Sequence, residues 1–202
     1  MLAVFCKVVI LAVYGYDHVL QVDIFDAVDN VTGIPWSAAY NYTTKKYGDI
    51  SEWNTSQVTD MKSLFIFKST FNENISNWDV SSVSNMEYMF YRASVFNADV
   101  SDWDVSSVTN MGSMFSLASA FNADVSDWVV SSVSNMESMF HLASAFNGNI
   151  SLWNVSKVTN MQYMFFVASV FDGDISDWHV SNVSDMGNMF SGARAFNADI
   201  SG

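Results

Sequence analysis

The chain has 202 residues, and half of them are hydrophobic, which is enough apolar material for one good-sized folded domain. Lysine and arginine total 8 against 21 aspartates and glutamates, which gives a formal net charge of −13. This charge repels phosphate backbones and anionic lipid headgroups, so we expect neither a nucleic-acid partner nor a membrane-surface partner.

Residues 1–21 form an apolar leader in which the first 16 residues carry one charge, Lys7. The pattern loosely resembles a signal peptide, but a buried N-terminal strand or helix, or an inexact gene start, would fit it as well. The run is too short to cross a bilayer as a helix, so we predict no membrane insertion. Cys6 is the only cysteine of the chain, and the sequence therefore predicts no disulfide.

Residues 22–48 follow as a predicted N-terminal cap, a short helix laid over the first repeat. The body occupies residues 49–202, and the Trp residues in it recur at a strict spacing of 25: Trp53, Trp78, Trp103, Trp128, Trp153 and Trp178. Such a spacing is the signature of stacked repeat units. The chain stops at Gly202, just before the next Trp is due, so we expect either a truncated repeat array or an open terminal edge.

Each repeat carries two hydrophobic periods in succession. Ile75, Trp78, Val80 and Val83 have the spacing of a leucine-rich-repeat strand, with Trp78 and Val80 inward and Asp79 outward. The second period, Met86, Met89, Phe90, Ala93 and Phe96, fits one face of a short amphipathic helix.

Capping boxes support that helix in three copies, where Ser84 precedes Glu87, Ser134 precedes Glu137 and Thr159 precedes Gln162. The predicted fold is therefore an α/β repeat solenoid, leucine-rich-repeat-like, of about six 25-residue repeats. Short strands form a parallel sheet on one face, short helices cover the other face, and columns of Trp, Phe and Met fill the space between them.

The repeat frame resembles that of a known family, the BspA-like leucine-rich repeat surface proteins. Trp103 to Met111 reads Trp-Asp-Val-Ser-Ser-Val-Thr-Asn-Met, and it is followed by Met114-Phe115, Ala118 and Phe121-Asn122, which is that family's pattern. The likeness covers roughly residues 47–202. This chain departs from the family in its period of 25 instead of 26, in Val129 and His179, and in having no identifiable lipid-attachment cysteine.

The resemblance implies a cell-surface or secreted protein with an adhesive or ligand-binding role, and it brings no catalytic residue. The residues themselves also favour a non-catalytic protein, because one reaction centre should break the repeat symmetry. His18, His141 and His179 are scattered and indicate no metal site. We predict no cofactor; calcium at the Asp columns is a weaker alternative to turn residues.

We predict that the binding surface is the concave sheet, at the outward positions that flank each Trp. Its mixture of acidic and apolar side chains suits an extracellular protein or glycan ligand. A second hypothesis is a structural spacer in an extracellular assembly. The predicted ligand-binding positions are Asn77, Asp79, Asp102, Asp104, Asp127, Val129, Leu152, Asn154, Asp177 and His179.

Overall fold

The computed structural model describes Ile24, Val28 and residues 49–198. The leader and the end of the chain, residues 199–202, lie outside the described residues, as does the predicted cap apart from Ile24 and Val28. These two residues are helical and fully buried against the hydrophobic core. Residues 49–198 divide into 25-residue layers, numbered 1 to 6: 49–73, 74–98, 99–123, 124–148, 149–173 and 174–198.

Regular secondary structure is almost absent from these layers. One 3₁₀-helix, Ile50–Glu52, begins after Asp49, whose side chain accepts a hydrogen bond from the Ser51 N–H. Between residues 49 and 198 there is no α-helix and no continuous strand. Neighbouring layers are instead joined by isolated parallel bridges: Asp60 to Asn85, Asn85 to Asn110, Asn110 to Asn135, Asn135 to Asn160, and Asn160 to Asp185. The prediction of an α/β repeat solenoid with a parallel sheet and covering helices is therefore wrong.

The predicted helix is replaced by a run of turns that alternates between two hydrogen-bonding directions. In layer 2, the N–H groups of Met86, Tyr88 and Phe90 each donate to a carbonyl of layer 3 at 2.9 Å. The N–H groups of Met89 and Tyr91 donate to the carbonyl three residues earlier at 3.1 Å. Every second amide thus joins two layers, and the amides between them close local turns.

Left-handed backbone conformations prevent this segment from becoming a helix. Tyr88 and Arg92 have φ angles of 57° and 60°, in a region that L-residues other than glycine enter at a cost of about 1–2 kcal/mol. A right-handed helix cannot continue through either residue. The predicted capping boxes are wrong as well, because the N–H of Glu87 bonds to the Asn85 side chain at 3.1 Å instead of opening a helix.

The predicted strand, residues 75–83, is also built from turns. The N–H of Trp78 donates to the Ile75 carbonyl at 3.1 Å, and that of Val83 donates to the Val80 carbonyl at 2.9 Å. Within the described layers, this segment makes no backbone-to-backbone hydrogen bond to another layer. The inter-layer ladder therefore runs through the part of the repeat that was predicted to be helical.

The core prediction is confirmed, because the layers enclose continuous columns of the expected side chains. Trp78 and Val80 are buried while Asp79 between them is exposed. Aromatic rings stack on their counterparts in the next layer, as in Trp103 on Trp128 at 6.4 Å and 4° between ring planes. Such stacking adds about 0.5–1.5 kcal/mol for each pair to the stabilisation that burial of the rings already gives.

The buried indoles of layers 2 to 6 are also each anchored by a hydrogen bond to the preceding layer. Trp128 Nε1 donates to the Val100 carbonyl at 2.9 Å, and the same bond recurs at Trp78, Trp103, Trp153 and Trp178. Buried polar groups need such partners, because a buried donor or acceptor left unpaired costs about 1–3 kcal/mol. The Trp spacing therefore sets both the core and the register between layers.

Surface asparagines and hydroxyls add ladders along the outside. The Asn97 side chain accepts a hydrogen bond from the Asn122 N–H at 2.7 Å, and the Asn122 side chain accepts one from the Asn147 N–H at 2.8 Å. The Thr109 hydroxyl donates to the Ser84 carbonyl at 3.1 Å. These columns keep the same residue types from layer to layer because their side chains bond one layer to the next.

Candidate functional site

The ten predicted ligand-binding residues all lie on the surface. Each of them is exposed, with Leu152 the most open side chain among the exposed large hydrophobic residues at 81% and Val129 at 55%. They do not lie on a concave sheet, because the described layers contain none. These residues occupy the turns on either side of each Trp: Asn77, Asp79, Asp102, Asp104, Asp127, Val129, Leu152, Asn154, Asp177 and His179.

The positions that directly follow Trp hold turns together. Asp79, Asp104 and Asn154 each accept a hydrogen bond from the N–H two residues later, at 3.0, 3.0 and 3.1 Å. Short polar side chains commonly stabilise turns in this way. Their oxygens are therefore partly committed to the backbone, whereas the positions that precede Trp, such as Asp102 and Asp127, point outward without this bond.

These positions belong to an acidic face, which we define as residues 97–104 and their counterparts in the other layers. It contains no lysine or arginine. The Ser106 hydroxyl and, with a smaller effect, the Ser106 N–H donate hydrogen bonds to Asp104, and these bonds lower the pKa of the Asp104 carboxyl. The pKa of Asp99 is lowered in the same way by the Ser101 N–H and hydroxyl. The acidic side chains are Asp49, Glu52, Glu73, Asp79, Asp99, Asp102, Asp104, Asp124, Asp127, Asp172, Asp174 and Asp177.

We define a second surface, the variable face, as the residues at positions 87, 88, 91 and 92 and their counterparts. Its residues change in nearly every layer. Tyr91, for example, corresponds to Ser116 in layer 3, His141 in layer 4 and Phe166 in layer 5. Because the backbone N–H and C=O groups here make the inter-layer bonds, the side chains are free to differ without loss of the ladder.

The first aromatic cluster of the variable face joins layers 1 and 2. Phe67 is 59% exposed and meets Tyr91 edge-to-face at 5.5 Å, while Tyr88 meets Tyr91 in the same manner at 5.8 Å. The guanidinium of Arg92 lies 5.7 Å from the centre of the Phe67 ring and 5.6 Å from that of Tyr91. Distances below about 6 Å are those of attractive cation–π contacts.

A second aromatic cluster lies in layers 4 and 5. The His141 ring stacks on Phe166 at 5.2 Å, and Tyr163 meets Phe166 edge-to-face at 5.6 Å. Burial lowers the pKa of His141, so its ring stays neutral at pH 7. Between the two clusters, layer 3 has small side chains on this face, Ser113 and Ser116, which are almost completely buried.

Ser116 and His141 form a pair on this face that resembles a catalytic group. The Ser116 hydroxyl lies 3.2 Å from His141 Nδ1, and a histidine next to a serine can activate it as a nucleophile. Ser116 is only 2% exposed, however, so its oxygen does not face solvent where a substrate would bind. The arrangement is suited to holding the histidine ring in place.

The part of the chain that the structure describes contains neither a metal-binding cluster nor a membrane-spanning helix. Within residues 49–198, together with Ile24 and Val28, no three His, Cys, Asp or Glu side chains are grouped so as to hold a metal ion. None of the helical residues described belongs to a helix with the length and apolar character needed to cross a membrane.

Sequence reasoning missed the variable face because it assigned those residues to a helix on the side opposite the binding surface. A signal for it was nevertheless present in the sequence. Positions such as Tyr91 and Arg92 differ among repeats, whereas the Asn, Ser and Thr columns are nearly constant. In a stack of equivalent layers, constancy marks bonds between layers, and variation marks side chains that are available for other contacts.

Comparison with known proteins assigns the chain to a family. The family model described as "Mycoplasma protein of unknown function, DUF285" matches residues 36–147 and 124–202, and the chain belongs to this family. Neither the search of curated proteins nor the search of solved structures gave a match.

Proposed function

We propose that this chain is a non-catalytic binding module of a cell-surface or secreted repeat protein, and that its ligand is an extracellular protein or a glycan. The observation that carries the proposal is the variable face, where residues change from layer to layer and where the exposed ring of Phe67 is joined by partly buried rings such as Tyr91 and Phe166. A row of equivalent layers with varied side chains is how repeat proteins build specific surfaces. Tyrosine and arginine on such a surface are typical of binding hot spots.

The repeat frame supports the surface location. Its likeness to the BspA-like surface repeat proteins suggests an adhesive role, and membership of the DUF285 family is consistent with this while naming no activity. We propose that the chain is BspA-like in its sequence frame and in its surface role. This proposal does not include helices or a sheet.

Of the two candidate surfaces, we favour the variable face as the main contact. On the acidic face, Asp79, Asp104 and Asn154 are bonded to the backbone of their own turns. The remaining predicted positions there, such as Asp127 and Leu152, stay available as a secondary contact. Exposed Leu152 and Val129 among carboxylates suit a partner with basic and hydrophobic groups.

The proposal is tested by binding of the purified chain to an array of extracellular proteins and glycans. The variant Phe67→Ala with Phe166→Ala removes one ring from each aromatic cluster, and Asp102→Lys with Asp127→Lys reverses two charges on the acidic face. We expect a saturable hit that the first double variant loses and the second retains. Loss only in the second would move the binding site to the acidic face.

The alternative is a structural spacer, which the ladders of identical side chains along the stack favour. A rigid rod needs regular bonds between its layers but no varied surface. An array without any saturable partner, obtained with a chain that is folded by circular dichroism, would support the spacer and contradict the binding module.

A further inference from the structure

The first aromatic cluster holds an arginine in a position ready to bind a ligand. The Arg92 side chain is exposed, and its guanidinium lies within 5.7 Å of the centres of two rings, Phe67 and Tyr91. Such contacts hold the planar group in place while its N–H groups stay able to donate to an oxygen. Little side-chain entropy would therefore be lost when a ligand binds.

This arginine has no acidic partner in the part of the chain that the structure describes. The neighbouring carboxylate on the variable face, Glu87, is paired with Lys62 across layers 1 and 2. No described carboxylate forms a salt bridge with Arg92. Within the described residues Lys157 and Arg194 form no salt bridge either, so Arg92 differs from them in its contact with two aromatic rings.

The repeat frame explains why these two side chains meet. Phe67 and Arg92 occupy equivalent positions in adjacent layers, and both have left-handed φ angles, 62° and 60°. Leu117, Leu142 and Val167 share this conformation at the same position of the later layers, so the frame places the side chains of this column alike. What distinguishes the cluster is that an aromatic ring and a guanidinium stand at this position in adjacent layers.

We infer that the cluster of Phe67, Tyr88, Tyr91 and Arg92 binds a segment of a partner protein that presents one carboxylate beside an aromatic or aliphatic side chain. The carboxylate would accept two parallel hydrogen bonds from the guanidinium, and the apolar neighbour would cover the exposed Phe67 ring. This inference rests on the proposed binding function and names the partner's chemistry.

The charge distribution explains why the cluster suits a partner segment with a single carboxylate better than a segment with several acidic residues in succession. At physiological salt, charges beyond about 8 Å are largely screened, so one carboxylate at Arg92 interacts mainly with its own neighbourhood, where Glu87 is already paired with Lys62. A longer acidic segment would extend over a molecule that is negative almost everywhere and would be repelled. Nucleic acid is disfavoured for the same reason.

The test uses synthetic peptides that carry one Glu next to Phe or Leu, each matched with the same peptide carrying Gln. Binding of the full chain is measured at physiological ionic strength. We expect the Glu peptides to bind saturably and at least about tenfold more tightly than the Gln peptides, since hydrogen bonds to charged groups are worth about 1.5–3 kcal/mol.

Two arginines of the chain provide matched variants. Arg92→Gln should lower the affinity for Glu peptides to that for Gln peptides, whereas Arg194→Gln, at an exposed arginine outside the cluster, should change nothing. Arg92→Lys keeps the charge but loses the two-pronged donor, so an intermediate affinity is expected. An unchanged thermal midpoint in each variant shows that folding is intact.

Equal binding of Glu and Gln peptides, or unchanged binding by Arg92→Gln, would overturn the inference. The inference would also be overturned if the chain bound a uronic-acid oligosaccharide and none of the peptides, because the ligand of the cluster would then be a carboxylated sugar. If the peptides fail while the array hit still depends on Phe67 and Phe166, the binding module stands and only the partner's chemistry is wrong. If both fail, the binding function itself is wrong.

Discussion

Replacement of Trp128 by Phe tests whether the indole hydrogen bonds hold the layers together. Trp128 is 3% exposed, lies between Trp103 and Trp153 at 6.4 Å from each, and donates Nε1–H to the Val100 carbonyl at 2.9 Å. Phenylalanine keeps an aromatic ring in the column but offers no donor. The variant therefore removes the hydrogen bond and a small part of the buried ring.

The expected cost follows from these two losses. The Val100 carbonyl keeps the N–H of Trp103 at 3.2 Å, so loss of the indole bond costs about 0.5–1.5 kcal/mol, the net contribution of an ordinary hydrogen bond. Two fewer buried ring carbons cost about 1.5 kcal/mol, at about 0.8 kcal/mol for each. Trp128→Phe should therefore lower the free energy of unfolding by about 2–3 kcal/mol.

The assay is urea unfolding followed by circular dichroism, with Leu152→Ala as the control. Leu152 is 81% exposed, and its truncation should change the free energy of unfolding by less than about 0.5 kcal/mol. A loss of about 1.5 kcal/mol or less in Trp128→Phe would refute the reasoning, because the lost ring carbons alone account for that much and the indole bond to the Val100 carbonyl would then contribute nothing.

Three further predictions concern backbone strain, modularity and acid. Ser138→Gly should raise the free energy of unfolding by about 0.5–1 kcal/mol in the same urea assay, because Ser138 has a φ of 55°. The control Ser132→Gly, at a residue whose φ is not positive, should lower it by a similar amount. Deletion of residues 99–123 should leave a folded chain with a cooperative thermal transition, whereas deletion of residues 99–118 should abolish it, because only whole layers preserve the ladder. The lowered pKa of Asp99 means that its contribution to stability is present above the ordinary carboxyl pKa and lost as the pH falls through the folded value. The thermal midpoint should therefore decrease as the pH is lowered from about 5 to about 2. This decrease should be smaller in Asp99→Asn, since asparagine can accept the same bonds.

The repeat length and the core could be predicted from the sequence because burial leaves a direct pattern. Trp78, Val80 and Met86 are buried as expected, since apolar side chains at fixed positions in every unit must share one interior. This argument depends on which residues are apolar and not on how the backbone between them hydrogen-bonds. Burial was therefore predictable even though the elements were not.

The elements could not be predicted because spacings of three and four residues suit more than one backbone. Met86, Met89, Phe90 and Ala93 fit a helix face, and they fit equally a chain of turns in which amides bond three residues back. What separates the two is the left-handed conformation at Tyr88 and Arg92. Neither residue is a glycine, so the sequence gives no local sign of it there.

The candidate site likewise has some features that were predictable from the sequence and others that were not. The exposure of positions such as Asp102 and Leu152 was predictable from the alternation around Trp. The turn bonds of Asp79 and Asp104 were not, and neither was the contact of Arg92 with Phe67, because residues of adjacent layers meet only once the register is known. The inter-layer amide bonds and the indole bonds fix that register together.

The alternating amide bonds have a consequence for how such a molecule can change over time. Since the same atoms meet at every junction, duplication or loss of 75 nucleotides, one unit, would lengthen or shorten the rod by about 5 Å without a new kind of contact. Reach and surface chemistry can then evolve separately. Copy number would set how far the molecule extends, and under the proposed binding function substitutions on the variable face would change its ligand.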